Sequence, residues 1–177
     1  MTNNETSETR PMVGLTTERL IFRQWRASDF AALAEFFSDE TQARFVGGRK
    51  RPEEAWRLMA TYVGHYDLLG YSYLALETRN RGELVGTVGL WNSDPWPEPE
   101  LGYWLLPSMQ GQGFAIEAGH AVRDFALDEL KLATLVSYID DRNIASVKVA
   151  ERLGAAYDTT IELLDFGPHQ VYRYREA

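Results

Sequence analysis

Apolar residues along this chain fall into two textures, and the switches between them mark out the elements. The run RLIFRQW at residues 19–25 suits a strand, and AALAEFF at 31–37 repeats its apolar positions at helical spacing behind Ser28 and Asp29 as capping candidates. Pro52 followed by Glu53 and Glu54 opens a second helix, because proline fits a first turn and acids favour its positive end; it extends to Leu69 and stops at Gly70. Strand texture begins at Tyr71, where YSYLALET, a turn at 79–82 and ELVGTVGLW predict a hairpin. The proline-loaded SDPWPEPE leads into LGYWLL, a third strand-like run closed by Pro107. A helix over 113–130, a strand over 132–139 and a helix over 143–153 capped by Gly154 follow, and TTIELLDF and HQVYRYRE end the chain as an antiparallel pair.

The strands on either side of the 113–130 helix must run parallel, since a helical crossover returns the chain in the same direction. The pattern therefore predicts an α+β fold: a mixed, mostly antiparallel central sheet flanked by about four helices. Residues 1–14 are polar and aperiodic and read as a flexible tail, which leaves one domain over 15–177.

Composition narrows the chemistry. A chain of 177 residues buries a core without staples, and with no cysteine it has no disulfide, no thiolate metal site and no enzyme-thiol intermediate. A formal charge of −8 speaks against nucleic acid as a partner and mildly favours cationic substrates, although acidity is common among soluble proteins. No apolar run approaches the roughly 20 residues that span a bilayer. The opening MTNNETSETR lacks the apolar stretch of a signal peptide, so a cytoplasmic protein without membrane contact is expected. His65 and His169 have no partner at metal-ligand spacing, and no metal is expected.

The most informative stretch is MQGQGFAIEAG at 109–119. Its glycines stand between a strand and a helix, where backbone N–H groups lack intrahelical partners and the helix dipole favours an anion. A P-loop would need Gly-x-x-x-x-Gly-Lys, which is absent, and a dinucleotide fingerprint would need a third glycine where Ile116 stands. A glycine-rich turn that merely starts a helix is the plainer reading of the stretch alone. It is accompanied, however. Gln110-Gly111-Gln112-Gly113-Phe114-Ala115 matches the Gln/Arg-x-x-Gly-x-Gly/Ala signature of the GNAT superfamily of N-acetyltransferases. ELGYWLLPSMQGQGFAIEA and DRNIASVKVAERLGA resemble the two signatures of its RimJ/RimL-type branch, and LTTERLIFRQWRASD resembles that branch's first strand and entry into helix one.

The resemblance implies a GNAT-like fold and acetyl-CoA as cosubstrate. Its pyrophosphate would sit on the amides of Gln110, Gly111, Gln112, Gly113, Phe114 and Ala115. Its pantetheine arm would pair like an extra strand with the backbone of Tyr103, Trp104 and Leu105, and Asn143 would bond the arm from the other side unless it is only the N-cap of its helix. An acceptor amine on a small molecule or a protein N-terminus is implied, in a monomer or homodimer.

With no cysteine to carry an acyl group, direct attack of the amine is the economical chemistry, and a backbone N–H near Leu105 suits the oxyanion. Glu100, at the far end of the strand that reaches the phosphate loop, is the candidate base; a surface charge beside Asp94 and Glu98 is its plainer reading. Many superfamily members carry a tyrosine where this chain has Ala150, so Ser146, one turn earlier on the same face, is the candidate acid, with packing or pantetheine contact as its alternative. His120 and Asp124 spell the His-x-x-x-Asp of a larger acyltransferase class, but Phe125 replaces the glycine that follows there, and His120 is read as structural. Phe45, Trp91 and Trp96 are candidate substrate-binding rings, and Trp104 belongs at least partly to the core. The competing function is a non-catalytic GNAT-like module that binds acetyl-CoA or serves regulation.

Overall fold

The computed structural model describes residues 11–174. Seven strands, β1 (Leu20–Arg23), β2 (Tyr73–Thr78), β3 (Leu84–Trp91), β4 (Glu100–Leu105), β5 (Val136–Ile139), β6 (Ala155–Glu162) and β7 (Pro168–Tyr174), form one sheet in the order β1-β2-β3-β4-β5-β7-β6. The helices are α1 (Phe30–Ser38), α2 (Glu40–Ala43), α3 (Pro52–Leu69), α4 (Phe114–Asp124) and α5 (Ile144–Arg152). The short α2, capped by the Asp39 carboxylate on the amides of Thr41 and Gln42, is the one helix beyond the expected four.

Alternation along β4 divides the interior. Leu101, Tyr103 and Leu105 pack on the face covered by α4 and α5, whereas Trp104 packs with Trp25, Phe36 and Phe37 under α1 and α3. A third, smaller cluster of Val136, Tyr138, Leu163 and Val171 lies beneath Trp96. All neighbouring strands are antiparallel except β4 and β5, which pair in parallel only at Glu100↔Val136. Beyond that pair the two strands part, and the gap becomes the floor of a cleft.

Several boundaries differ from the sequence pattern for local reasons. Met12 is fully buried and the Gly14 amide bonds the Phe22 carbonyl at 2.9 Å, so the packed domain begins ahead of residue 15; the rest of the expected tail lies outside the described residues. Asp29 does not cap α1 with its side chain. Its carboxylate is buried and takes the Arg23 guanidinium through two bonds of 2.7 and 3.0 Å, while Arg23 also reaches Glu77 on β2. The expected 113–130 helix divides: α4 ends at Asp124 and a π-turn over Phe125–Glu129 follows, in which the Leu130 amide bonds the Phe125 carbonyl at 3.0 Å. β6 starts at Ala155, directly after Gly154 turns the chain at φ 88°, and it ends before the 3₁₀ turn Leu164–Phe166 rather than running through it.

Candidate active site

β4 connects the two ends of one cleft of about 890 Å³. At its C-terminal end Pro107 stops the strand, a short turn follows, and Gly111 and Gly113 take φ of 73° and 83°, left-handed values that suit glycine. Gly113 is the N-cap of α4. Among the described residues no acceptor is in place for the amides of Gly111, Gln112, Gly113, Phe114 and Ala115, so the loop presents a row of free donors at the positive end of a helix.

The loop is braced from three sides. The Gln110 amide group donates to the Leu105 carbonyl at 2.9 Å and to Gln42 at 3.2 Å, and that of Gln112 donates to the Ser108 carbonyl at 2.9 Å. The Arg19 guanidinium donates to the Gln112 carbonyl at 3.0 Å, lies over the Phe114 ring, and is itself held by Glu117 at 2.6 Å. Glu117 also accepts from the Thr17 hydroxyl and the Arg19 amide. Gln110, Gly111 and Ala115 line the cleft; Phe114 is buried, so only its amide faces a ligand, and the two glutamine side chains serve the loop rather than what it binds.

Halfway along β4 the strand's open edge appears. The Leu106 amide bonds the Val85 carbonyl on β3, so by alternation the backbone of Gly102 and Trp104 is spent on β3 and that of Tyr103 and Leu105 faces the gap. Trp104 therefore leaves the backbone set expected for the pantetheine arm; its ring is stacked on Phe36 and Trp25 instead. Across the gap stands α5. Asn143 caps it, its side-chain oxygen accepting from the Ser146 amide at 3.2 Å, and it also lines the cleft. The Ser146 hydroxyl lies 3.1 Å from the Tyr103 hydroxyl, joining β4 to α5 beside Ala150, which is buried. Burial pushes the Tyr103 phenol upward, so it stays protonated at neutral pH.

At the N-terminal end Glu100 is reachable from the cleft, yet burial of its carboxyl pushes its pKa up to about 7, against the opposing pull of Trp96, the Tyr138 backbone and Tyr73. The crowding has a visible origin. Gly102 is next on the same face, and a Cβ there would overlap the Tyr73 hydroxyl, so the glycine lets Tyr73 lean across β4 toward Glu100. Trp96 arrives from the proline-rich loop, which is pinned to β7 by Glu98 holding Arg173 at 2.7 and 2.9 Å. Tyr73, Gly102 and Tyr138 escaped the sequence reading; a glycine inside a strand was the available signal for one of them.

Phe45, Trp91 and Trp96 all line this cleft. Trp91 is stacked on His65 with centroids 4.1 Å apart, and Arg44 lies over the Phe45 ring at 4.6 Å. His120 has no part in the site, because Asp124 pairs with its neighbour Arg123 at 2.7 Å. His65 donates its Nδ1–H to the Tyr71 carbonyl at 2.8 Å and accepts at Nε2 from the Asn92 amide at 3.3 Å, and burial lowers its pKa. Among the described residues no three His, Asp or Glu side chains converge as a metal site, and no helix is long and apolar enough to cross a membrane.

Comparison with known proteins gives this geometry its context. The acetyltransferase (GNAT) domain family matches residues 19–156. The N-acetyltransferase YoaA of Bacillus subtilis is 27% identical over 143 residues, covering 79% of this chain and 81% of its own. A crystal structure of an acetyltransferase from Agrobacterium tumefaciens superposes with a TM-score of 0.84 at 34% identity, over 92% of this chain and 94% of that one. RimJ of Mycobacterium smegmatis, in complex with CoA-disulfide, shares the fold at a TM-score of 0.72 and 16% identity, over 93% of this chain and 88% of its own. With a free-amide loop ahead of α4, an unpaired edge on β4 and a family match over most of its length, the chain belongs to the GNAT acetyltransferases, enzymes that use acetyl-CoA.

Proposed function

We propose that the chain transfers the acetyl group of acetyl-CoA directly to a primary amine, with the amine entering at the Glu100 end of β4. The observation that carries this is a carboxyl with pKa about 7 at the opposite end of β4 from a loop of free amides. Acetyl-CoA supplies the activated acyl group. The amides of Gly111, Gln112, Gly113, Phe114 and Ala115 suit its phosphates, and the Tyr103 backbone and the Leu105 amide on the open edge, with Asn143 opposite, suit its arm.

Glu100 then has the properties of a general base. A proton acceptor is most effective when its pKa lies near the working pH, and at about 7 Glu100 is partly ionised at neutrality while an amine still carries its proton. Glu100 takes one proton from the bound ammonium and so frees the nitrogen lone pair; the nitrogen bonds the acyl carbon, the carbon–sulfur bond breaks, and the second nitrogen proton leaves to solvent. The Leu105 amide, on the open edge, is placed to donate to the carbonyl oxygen. The Tyr103–Ser146 hydroxyl pair stands where Ala150 leaves no donor; Ser146 passes a proton to the leaving sulfur, Tyr103 replenishes Ser146, and solvent returns the proton to Tyr103. A thiol leaves with a pKa near 8.5, so this assistance is modest.

The RimJ/RimL-type motifs support an acceptor amine on a protein N-terminus or a small molecule. The test is thiol release from acetyl-CoA across amines and short peptides, alongside thermal unfolding. Acetyl-CoA at a hundredfold excess over Kd should stabilise the fold by about 2.7 kcal/mol. A melting temperature indifferent to millimolar acetyl-CoA overturns cofactor binding; a shift without thiol release from any amine points to the regulatory module instead.

A further inference from the structure

Glu100 stands where two aromatic walls meet. On the side of α3, Tyr73 stacks on Trp91 at 5.9 Å, and Trp91 is backed by His65. On the side of β7, Trp96 meets Tyr138 and Phe166 edge-on, both at 5.9 Å. Phe166 and Leu164 are exposed at the cleft rim, and Leu164 holds φ 47°, a left-handed conformation costly for a branched side chain. Trp91, Trp96 and Phe166 thus line the cleft as apolar surfaces on both sides of one carboxyl.

The charges along the same cleft are few. Its ionisable lining is Arg44, Lys50, Glu100, Asp140 and His169, besides tyrosine. Asp140 is committed to Arg142 at 2.6 Å, which holds its carboxyl well below the usual range. Glu100 is the one lining carboxyl among the described residues not paired with a cation, and Arg44 and Lys50 add positive charge at the α2 side.

Resting on the acetyl-transfer reading above, we infer that the acceptor is a monoamine, one primary ammonium borne on a flat apolar or aromatic body, and that polyamines and aminosugars are excluded. One ammonium finds one carboxyl, and its body lies between rings that favour planar groups. A second ammonium would lose water against tryptophan and phenylalanine with no free carboxylate to pair it, and would meet Arg44 and Lys50 besides.

The chemistry is shared by two sources, a free aryl-alkyl amine and a peptide whose first residue is aromatic. Thiol release from acetyl-CoA should be measured with tryptamine, 2-phenylethylamine, a phenylalanine-initiated peptide, spermidine and kanamycin. At least one aromatic monoamine, free or peptide-borne, should exceed spermidine and kanamycin about 100-fold or more in kcat/KM, since each tenfold corresponds to about 1.4 kcal/mol. Which of the two wins identifies the source. Phe166→Ala should raise KM for the preferred amine about fivefold or more with a smaller change in kcat, as expected for lost ring contact. Equal or better turnover of spermidine or kanamycin overturns the inference and leaves acetyl transfer standing. No turnover of any amine, with acetyl-CoA still raising the melting temperature, overturns the transferase reading itself.

Discussion

The two ends of β4 are built from different materials. At the Leu105 end the working groups are backbone amides, set by two left-handed glycines and a helix start, and the side chains of Arg19, Gln110 and Gln112 only brace them. At the Glu100 end the proposed working group is one carboxyl, its pKa raised by burial and the rise partly offset by hydrogen bonds from Trp96, the Tyr138 backbone and Tyr73 on three other segments. A backbone site is indifferent to most side-chain changes and intolerant of changes in backbone conformation. A side-chain site has the opposite sensitivity. The parallel pairing of β4 with β5 is confined to Glu100↔Val136, at the carboxyl end, and leaves the backbone edge toward Leu105 unpaired by β5.

Substitutions can break this contrast. The largest effect is expected from Gly113→Val, which asks a branched residue to hold φ 83° beside the Arg19 guanidinium. Acetyl-CoA affinity should fall by about 100-fold or more, a loss of roughly 3 kcal/mol that calorimetry on the folded variant reads directly. Unchanged affinity would remove the loop from cofactor binding.

Next is the pH dependence of stability set by Glu100. Its pKa is raised from 4.5 to about 7, so the folded state holds the proton more tightly than the unfolded chain. The associated stability is full below about pH 4.5 and is lost as pH climbs through 7. Glu100→Gln lacks this loss and should gain on the wild type across that window, up to about 3 kcal/mol at about 1.4 kcal/mol per pH unit. Denaturant titrations of both proteins at pH 5 and 8.5 measure it, and a difference that does not change with pH contradicts the buried carboxyl.

How much of this was legible follows from the same contrast. The glycine loop ahead of α4 is contiguous, so Gly111, Gly113 and the helix behind them could be recognised from neighbouring residues. The succession of seven strands was legible for a similar reason, because each element announces its own period, whereas the place of β7 between β5 and β6 in the sheet left no such mark. The surroundings of Glu100 were not. Tyr73 reaches it through the β2–β3–β4 register, Tyr138 through the parallel step to β5, and Trp96 through the Glu98–Arg173 anchor, none of which leaves a local mark. Asp29 stands at the N-cap position of α1 as its sequence suggests, but its carboxylate is turned to Arg23, a partner that β1 brings to it. Met12 and Val13 carry no period because two adjacent apolar residues before Gly14 match neither a strand nor a helix pattern.

A smaller effect separates side-chain placement from charge. Gly102→Ala pushes the Tyr73 hydroxyl away from Glu100 and leaves the carboxyl in place, so kcat/KM should drop about tenfold with acetyl-CoA affinity unaltered. Equal kinetics would show that Tyr73 does not support the base. The smallest belongs to Ser146→Ala, where a leaving thiol of pKa near 8.5 needs little help and kcat should fall about threefold to tenfold. A fall in acetyl-CoA affinity with kcat intact would assign Ser146 to holding the arm.

The central claim, a general base at the side-chain end of β4, is tested most directly by the pH–rate profiles of wild type and Glu100→Gln on one accepted amine. The wild type should rise about tenfold per pH unit to an inflection near 7 and then level. The variant should lie roughly 10²–10⁴-fold lower at pH 7, lack that inflection, and recover only toward the amine's own pKa. Parallel profiles with equal kcat would contradict the account and remove Glu100 from the chemistry.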